Sequence, residues 1–509
     1  MKRIYCVITA AVMLLCSCSN DIKNSEEKLT YFIPLYANVS KIASNMGELP
    51  LFQEVQKQTR IEVTFIHPIP GQELEQLSML TATDNLPDML QIDMNKYSGG
   101  PQGAIDSQMI ADLSSLIENH APNLKGLLEN HPEWDKQVRL ANGAYFCFPF
   151  IRGDDYLLSW LGWVIRKDWL DILGLGIPET IDEWDTILSR FQQDLGVETP
   201  MMLTSLHSKD SLLGAYGSSH DFILSQEGEV VYGPLLPGYR EYLALLRRWY
   251  SKGYLDKQYF SKDDNFAQAN IVAGKSGAAF MNAGSGMGRS LIQGRETTAE
   301  FSLVGVPYPT LIKGERPEHG YRDNEINLTL SVLISENSKK KELAARWLDF
   351  GYSEKGKMLY NFGIEGKSYR LTEGYPAYTD EVLNNGEGLP PVYAMSRYIA
   401  ANYGGPFVQD KRYYEQYLSE PEQKNAVAVW GAHSNMRKLP ELRFTSEENR
   451  VITAVKSKLE DYIMEFEMKI VLGIESLDAC DSLKEQLVQL GLDELLSVYR
   501  QAYAKYLEK

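Results

Sequence analysis

The sequence predicts an α/β fold of two lobes joined by a hinge, with a cleft between them, and three observations carry that expectation. From residue 29 onward, short apolar strand-like runs alternate with amphipathic helical stretches, the pattern of a mainly parallel, twisted sheet. In residues 141–170 an apolar, β-rich run from Ala144 to Phe150 is broken by Arg152, Gly153, Asp154 and Asp155, restarts at Tyr156 and leads into a helix. A strand that stops at a charged, Gly-containing segment and then resumes marks a crossing between lobes, where clefts form. Finally, a chain of 509 residues is long enough for two cores.

Taken in order, Leu29 to Leu35 reads as a strand, Leu49 to Thr59 as a helix presenting Leu51, Phe52 and Val55, and Ile61 to Ile66 as a second strand. A helix over residues 72–81 and a strand from Met89 to Ile92 follow, so the chain opens β-α-β. Ligands meet such sheets at the loops after the strands. Those loops carry Tyr36, Asn38, Tyr97 and Gly99. Beyond the crossing, Thr180-Ile-Asp-Glu183 is a capping box opening a helix striped by Ile181, Trp184, Ile187, Leu188 and Phe191. Ser276 to Asn282 is read as the chain returning to the first lobe and Asn327 to Ile334 as its departure. The expected division is therefore 29–152 plus 283–330 for one lobe and 153–282 plus 331–509 for the other. A second capping box, Thr445-Ser-Glu-Glu448, starts a long helix with Val455, Leu459, Ile463 and Phe466 on its buried side.

Met1, Lys2 and Arg3 precede an apolar segment, Ile4 to Leu15, too short to span a bilayer and suited to a cleaved export signal over 1–17. Its Leu15-Cys16-Ser17-Cys18 ending resembles the lipobox of bacterial lipoproteins, which implies lipidation at Cys18 and a polar tether over 18–28. The expected location is the extracytoplasmic face of the cell membrane. Without residues 1–17 the chain holds 49 basic against 68 acidic residues, a net charge of −19 that repels nucleic acid and anionic lipid head groups. Anchorage would then come from acyl chains. Cys147 and Cys480 alone remain available to pair, and Cys147 sits inside an apolar run as a small hydrophobe would.

Several motifs in fixed order resemble the bacterial extracellular solute-binding proteins of family 1, in their long lipoprotein subgroup: Cys18 in its lipobox, Thr83-Asp-Asn-Leu-Pro-Asp88, Ser98-Gly-Gly-Pro101, His131-Pro-Glu-Trp134, Phe148-Pro-Phe-Ile-Arg-Gly-Asp-Asp155, Ile165-Arg-Lys-Asp-Trp-Leu170, Pro178-Glu-Thr-Ile-Asp-Glu-Trp184 and Gly473-Ile-Glu-Ser-Leu477. The resemblance implies a periplasmic-binding-protein-like fold, a sugar held between the lobes, and delivery to the permease of an ABC importer by a monomer. Two departures stand out. Where long relatives carry a calcium loop, residues 192–199 read Gln-Gln-Asp-Leu-Gly-Val-Glu-Thr, too few oxygen ligands for calcium, so no metal and no cofactor is expected. Gly284-Ser-Gly286 stands where relatives often place a tryptophan, so one stacking platform is expected to be missing.

A sugar offers hydroxyls to directional polar partners and an apolar face to aromatic rings. Arg152, Asp154 and Asp155 at the crossing are candidates for hydroxyl contacts, the alternative being that Arg152 and Asp155 pair to fix the hinge. Trp160 is a platform or a core residue, and Trp430, before Gly431, reads as a loop aromatic that either stacks on sugar or packs under its loop. Tyr393, Arg397 and Tyr403 form an aromatic and polar cluster, and Asn282 and Ser285 sit at a strand end in a Gly-rich loop. No nucleophile elbow, zinc-binding helix motif or phosphate loop is present, so no catalytic residue is expected. Two rivals stay open. A glycoside hydrolase lipoprotein would need a second carboxylate across the cleft, because Asp154 and Asp155 point to opposite faces of an extended segment. A surface glycan-binding protein uncoupled from a permease would be consistent with helices throughout, against which the β-α-β opening counts.

Overall fold

The structure, a computed structural model, describes residues 28–508 apart from 262, 435 and 436. The signal segment, Cys18 and all but the last residue of the tether lie outside the described residues. The strands in chain order are β1 (Lys28–Phe32), β2 (Glu62–Ile66), β3 (Met89–Leu90), β4 (Phe148–Arg152), β5 (Leu161–Arg166), β6 (Met201–Met202), β7 (Phe222–Leu224), β8 (Val230–Tyr232), β9 (Ala278–Asn282), β10 (Leu303–Val306), β11 (Ile326–Ile334), β12 (Tyr369–Thr372), β13 (Tyr375–Tyr378) and β14 (Val408–Gln409).

Two sheets organise two lobes. The first has the order β14-β4-β11-β3-β1-β2 and the second β10-β5-β9-β6, while β7/β8 and β12/β13 form separate hairpins. Since β4 belongs to the first sheet and β5 to the second, the chain crosses between lobes over residues 153–160. A short 3-10 turn, Asp155–Leu157, occupies that crossing, its amide at Tyr156 capped by the Asp154 carboxylate at 2.9 Å. The strand resumes at Leu161, later than the apolar pattern suggests.

The later division of the chain differs from expectation. β9 and β10 both pair in the second sheet, so residues 278–306 stay in the second lobe, and β11 is the strand that enters the first. An apolar run of alternating burial declares a strand but not the sheet it joins, which depends on partners far along the chain. The sheets are also mixed. β1 is parallel to β2 and β3, and β14 to β4, whereas β11 is antiparallel to both its neighbours and β5 runs antiparallel to β9 and β10. Strands that return from the opposite lobe enter from the opposite direction.

Local signals hold where the sequence reads them. Both capping boxes are formed, Thr180 with Glu183 at the head of the helix Ile181–Leu195 and Thr445 with Glu448 at the head of Ser446–Val471. The predicted stripe Ile181, Trp184, Ile187, Leu188 and Phe191 is buried. Residues 192–199 close that helix through Gly196 in the left-handed region, with the Val197 amide donating back to the Phe191 carbonyl. Among the described residues no group of three or more His, Cys, Asp or Glu could hold a metal ion. Cys147 is buried, its thiol pushed up to about 12 by that burial, and neither it nor Cys480 is in a disulfide.

Candidate functional site

The two sheets meet at a cavity of about 300 Å³. From the first sheet come Phe150 and Arg152 of β4, Leu330 of β11 and Gln409 of β14, and the loop after β1 adds Asn38. From the second lobe come Asn282 at the end of β9, Gly284 and Ser285, and the crossing supplies Leu157 and Trp160. Asn402 and Tyr403 line it from a loop, and Tyr413, Tyr414 and Tyr417 from the helix Lys411–Tyr417.

Arg152 is fixed at the hinge end of this cavity. One guanidinium nitrogen lies 2.5 Å from Asp323 and another donates to Gln409 Oε1 at 3.1 Å. Gln409 uses its own amide to donate to the Ala401 carbonyl at 2.6 Å, so the pair is locked from both ends. The indole nitrogen of Trp160 also faces Asp323, at 3.4 Å. Opposite, the chain winds through a π-helical turn, Ala283–Gly288, in which Asn282 Oδ1 accepts from the Gly286 amide at 2.7 Å and the Ser285 hydroxyl at 3.0 Å. Such turns are rare and recur at functional sites. A Cβ on Gly284 would sit 2.1 Å from the Tyr417 ring, so glycine lets that ring lie against the backbone. Where a tryptophan was expected to be missing from 284–286, an aromatic ring reaches the same place from Tyr417.

Three buried polar atoms of lining residues, Asn402 Oδ1, Tyr403 Oη and Arg152 Nε, have no hydrogen-bond partner among the described residues. Buried polar groups are almost always paired, and each one left alone costs about 1–3 kcal/mol. A wall of tyrosine rings with the amides of Asn38, Asn282 and Asn402 beside them suits a ligand that has both C–H faces and hydroxyls. Among the described lining residues there is no Asp or Glu.

The structure brings together Asn38, Arg152, Trp160, Asn282, Ser285 and Tyr403 of the residues nominated from sequence. Tyr36 lies one layer behind, stacked on Tyr403 at 4.8 Å and accepting from Gln91 Nε2 at 2.7 Å. The others lie elsewhere. Asp154 caps the crossing turn and pairs with Lys411 at 2.9 Å, and Asp155 is exposed and pairs with Arg322 at 2.7 Å. Arg152 thus pairs with Asp323 rather than with Asp155. Tyr97 is half-buried beside Ser107, and Gly99 caps a helix against Ser446 at the far side of the first lobe. Tyr393 neighbours the lining residue Val392 without entering the wall, and Arg397 pairs with Glu387 at 2.6 Å. Trp430 is not a loop aromatic. It ends the helix Pro421–Trp430, is fully buried against Gly162 and donates to the Trp163 carbonyl at 3.1 Å.

Sequence reasoning passed over Asn402, Gln409 and the tyrosines of the helix Lys411–Tyr417. The spacing of Tyr413, Tyr414 and Tyr417 places three rings on one helical face, a signal that was available. Nothing local marks Gln409, which reaches the cavity only because β14 pairs with β4.

Deeper in the second lobe lies a separate cluster of charge. His220 Nδ1 is 2.9 Å from Asp210 and its Nε2 2.8 Å from Glu467, whose other oxygen is 2.8 Å from Lys209. Burial alone would lower the imidazole, but the two carboxylates outweigh it and raise His220 to about 9. Burial would raise Glu467, yet Lys209 and His220 hold it at about 2. The cluster ties the long helix Ser446–Val471 to the helix Leu206–Leu213.

With this geometry established, similarities to known proteins can be set beside it. The sequence profile of the bacterial extracellular solute-binding proteins matches residues 43–358. The chain is 22% identical over 500 residues to the fructooligosaccharide ABC transporter substrate-binding protein FusA of Streptococcus pneumoniae serotype 4 (strain ATCC BAA-334 / TIGR4), across 90% of this chain and 87% of that protein. It is 22% identical over 404 residues to lipoprotein LipO of Bacillus subtilis (strain 168), across 76% of each. Among solved structures, the alginate-binding protein AlgQ2 without calcium ion shares the fold with a TM-score of 0.76 at 20% identity, over 94% of this chain and 98% of that one.

Proposed function

Because this chain belongs to the bacterial extracellular solute-binding proteins, we propose that it captures an oligosaccharide between its lobes and delivers it unaltered to the permease of an ABC importer. The observation that carries the reading is the cavity between the sheets, with three tyrosine rings on one helix and unpaired hydroxyl and amide groups beside them. Rings cover the apolar faces of a sugar while Asn38, Asn282, Asn402 and Tyr403 meet its hydroxyls. The absence of carboxylates among the described lining residues supports binding without hydrolysis, since glycoside cleavage uses two. The hinge segments, cross-linked by Arg152 with Asp323 and Asp155 with Arg322, would let the lobes close on the ligand. Acylation of Cys18 would hold a monomer at the extracytoplasmic face of the membrane.

A thermal-shift screen against a glycan library tests the reading. A ligand at a hundred times its dissociation constant adds about 2.7 kcal/mol of stability, and the melting temperature rises with it. No shift with any glycan would overturn the assignment, and release of reducing sugar from the shifting ligand would replace it with hydrolysis. Small-angle scattering reads closure as a drop in radius of gyration on adding that ligand, and mass analysis of the membrane fraction reads the acyl chains on Cys18.

A further inference from the structure

A second chamber adjoins the cavity. Its volume is about 450 Å³ and it is lined by the second lobe and the hinge, including His207, Ser219, His319, Tyr321 and Asn324. Trp160 and the ion pair of Arg152 with Asp323 link it to the cavity between the sheets, since Trp160 and Arg152 line the cavity and Asp323 lines the chamber. Three aromatic rings run across it. Trp160 meets Tyr321 edge to face at 5.1 Å, and Tyr321 meets His207 in the same way at 4.9 Å. The carboxylates that face this chamber are already occupied: Asp210 by His220, Asp221 by Lys456 and Asp323 by Arg152. His319 Nε2, by contrast, is buried and has no hydrogen-bond partner among the described residues. Burial pushes that imidazole down to about 4, so it is neutral and able to bond a hydroxyl.

We propose that this chamber is a second subsite that receives further units of the same ligand, guided from the cavity by Trp160, Tyr321 and His207 and held by His319. The proposal rests on the oligosaccharide reading and deepens it. The first cavity is at the small end of ligand sites, which run from about 300 to 1,000 Å³, so a longer chain must leave it, and the ring path gives the direction. The carboxylates of the chamber are paired within the protein, and Lys438, which also lines it, donates to the Arg322 carbonyl at 2.6 Å and to Asn324 Oδ1 at 2.8 Å, so rings and hydrogen-bonding groups make up its wall.

Calorimetric titration of the full chain with fructo-oligosaccharides and with oligogalacturonates, each from two to five units, tests this. The expected result is a dissociation constant that tightens about tenfold from the shortest to the longest member of the series that binds, equivalent to about 1.4 kcal/mol. That gain is expected to vanish in His207→Ala and in His319→Leu. His207 is exposed, so the first variant is expected to fold even if the second does not. A gain that survives in the His207→Ala protein, or binding that does not depend on length, would each overturn the second subsite while leaving the capture reading intact. Absence of binding to every member of both series would overturn both.

Discussion

The tyrosine-walled cavity and the His220 cluster are the two polar features of this molecule that are built most differently. In the cavity the charge is confined to one arginine paired at its edge, and the remaining groups are neutral, partly unpaired and set among rings. In the cluster four ionisable side chains are compressed under the surface and matched to one another within 3 Å. A buried charge without its partner is costly, so the cluster can serve only as a fixed joint. Neutral groups cost less to leave open, and a ligand can complete them. Burial of matched charge therefore marks architecture in this protein, and neutral polar groups set among rings mark the proposed binding cavity.

That contrast can be broken in several ways. The largest effect is expected from Glu467→Ala, which strands His220 and Lys209 and should cost about 3–5 kcal/mol of stability by denaturant unfolding while the folded fraction keeps its glycan affinity. A loss of affinity at unchanged stability would reverse the assignment of roles. Next come two tryptophans. Trp430→Ala should remove about 3–5 kcal/mol of stability, as truncating a buried ring does. Trp160→Ala should instead weaken glycan binding by about 1–3 kcal/mol in titration and leave melting nearly unchanged.

The pH dependence sharpens the comparison further. His220 is raised from 6.5 to about 9, so its contribution to stability is complete below 6.5 and is lost as pH rises through 9. Glu467 is lowered from 4.5 to about 2, so its contribution is complete above 4.5 and is lost as pH falls through 2. Both are present between pH 4.5 and 6.5, and thermal melting followed across pH should decline above that window in the native chain and more shallowly in Glu467→Ala. Least affected should be Arg397→Ala, whose partner Glu387 is at the surface outside the cavity, with titration showing no change in affinity.

Legibility in the sequence tracked how local each feature is. The capping boxes at Thr180 and Thr445 and the stripe through Trp184 and Phe191 depend on neighbours within a turn or two, and all were readable. The crossing at Gly153 was readable because charge and glycine interrupt an apolar run. The membership of β9, β10 and β11 was not, since apolar runs of that kind suit either sheet. Among lining residues, Asn282 and Ser285 were read from their position at a strand end and Trp160 from its place just past the crossing, whereas Gln409 and Asn402 are single polar residues without a pattern. Trp430 was misread because its helix buries Gln423, Ala426, Val427 and Trp430, a stripe too short and too polar at its start to register beside Gly431.

The placement of β14 has a consequence for how the molecule comes to exist. This two-residue strand completes the edge of the first sheet beside β4, and it lies at residues 408–409. The β4 edge of that sheet therefore stays uncovered until residue 409 has been made, and contacts so distant in sequence form slowly. The outermost seam of the first lobe is thus sealed by the final fifth of the polypeptide, after its other five strands have been made.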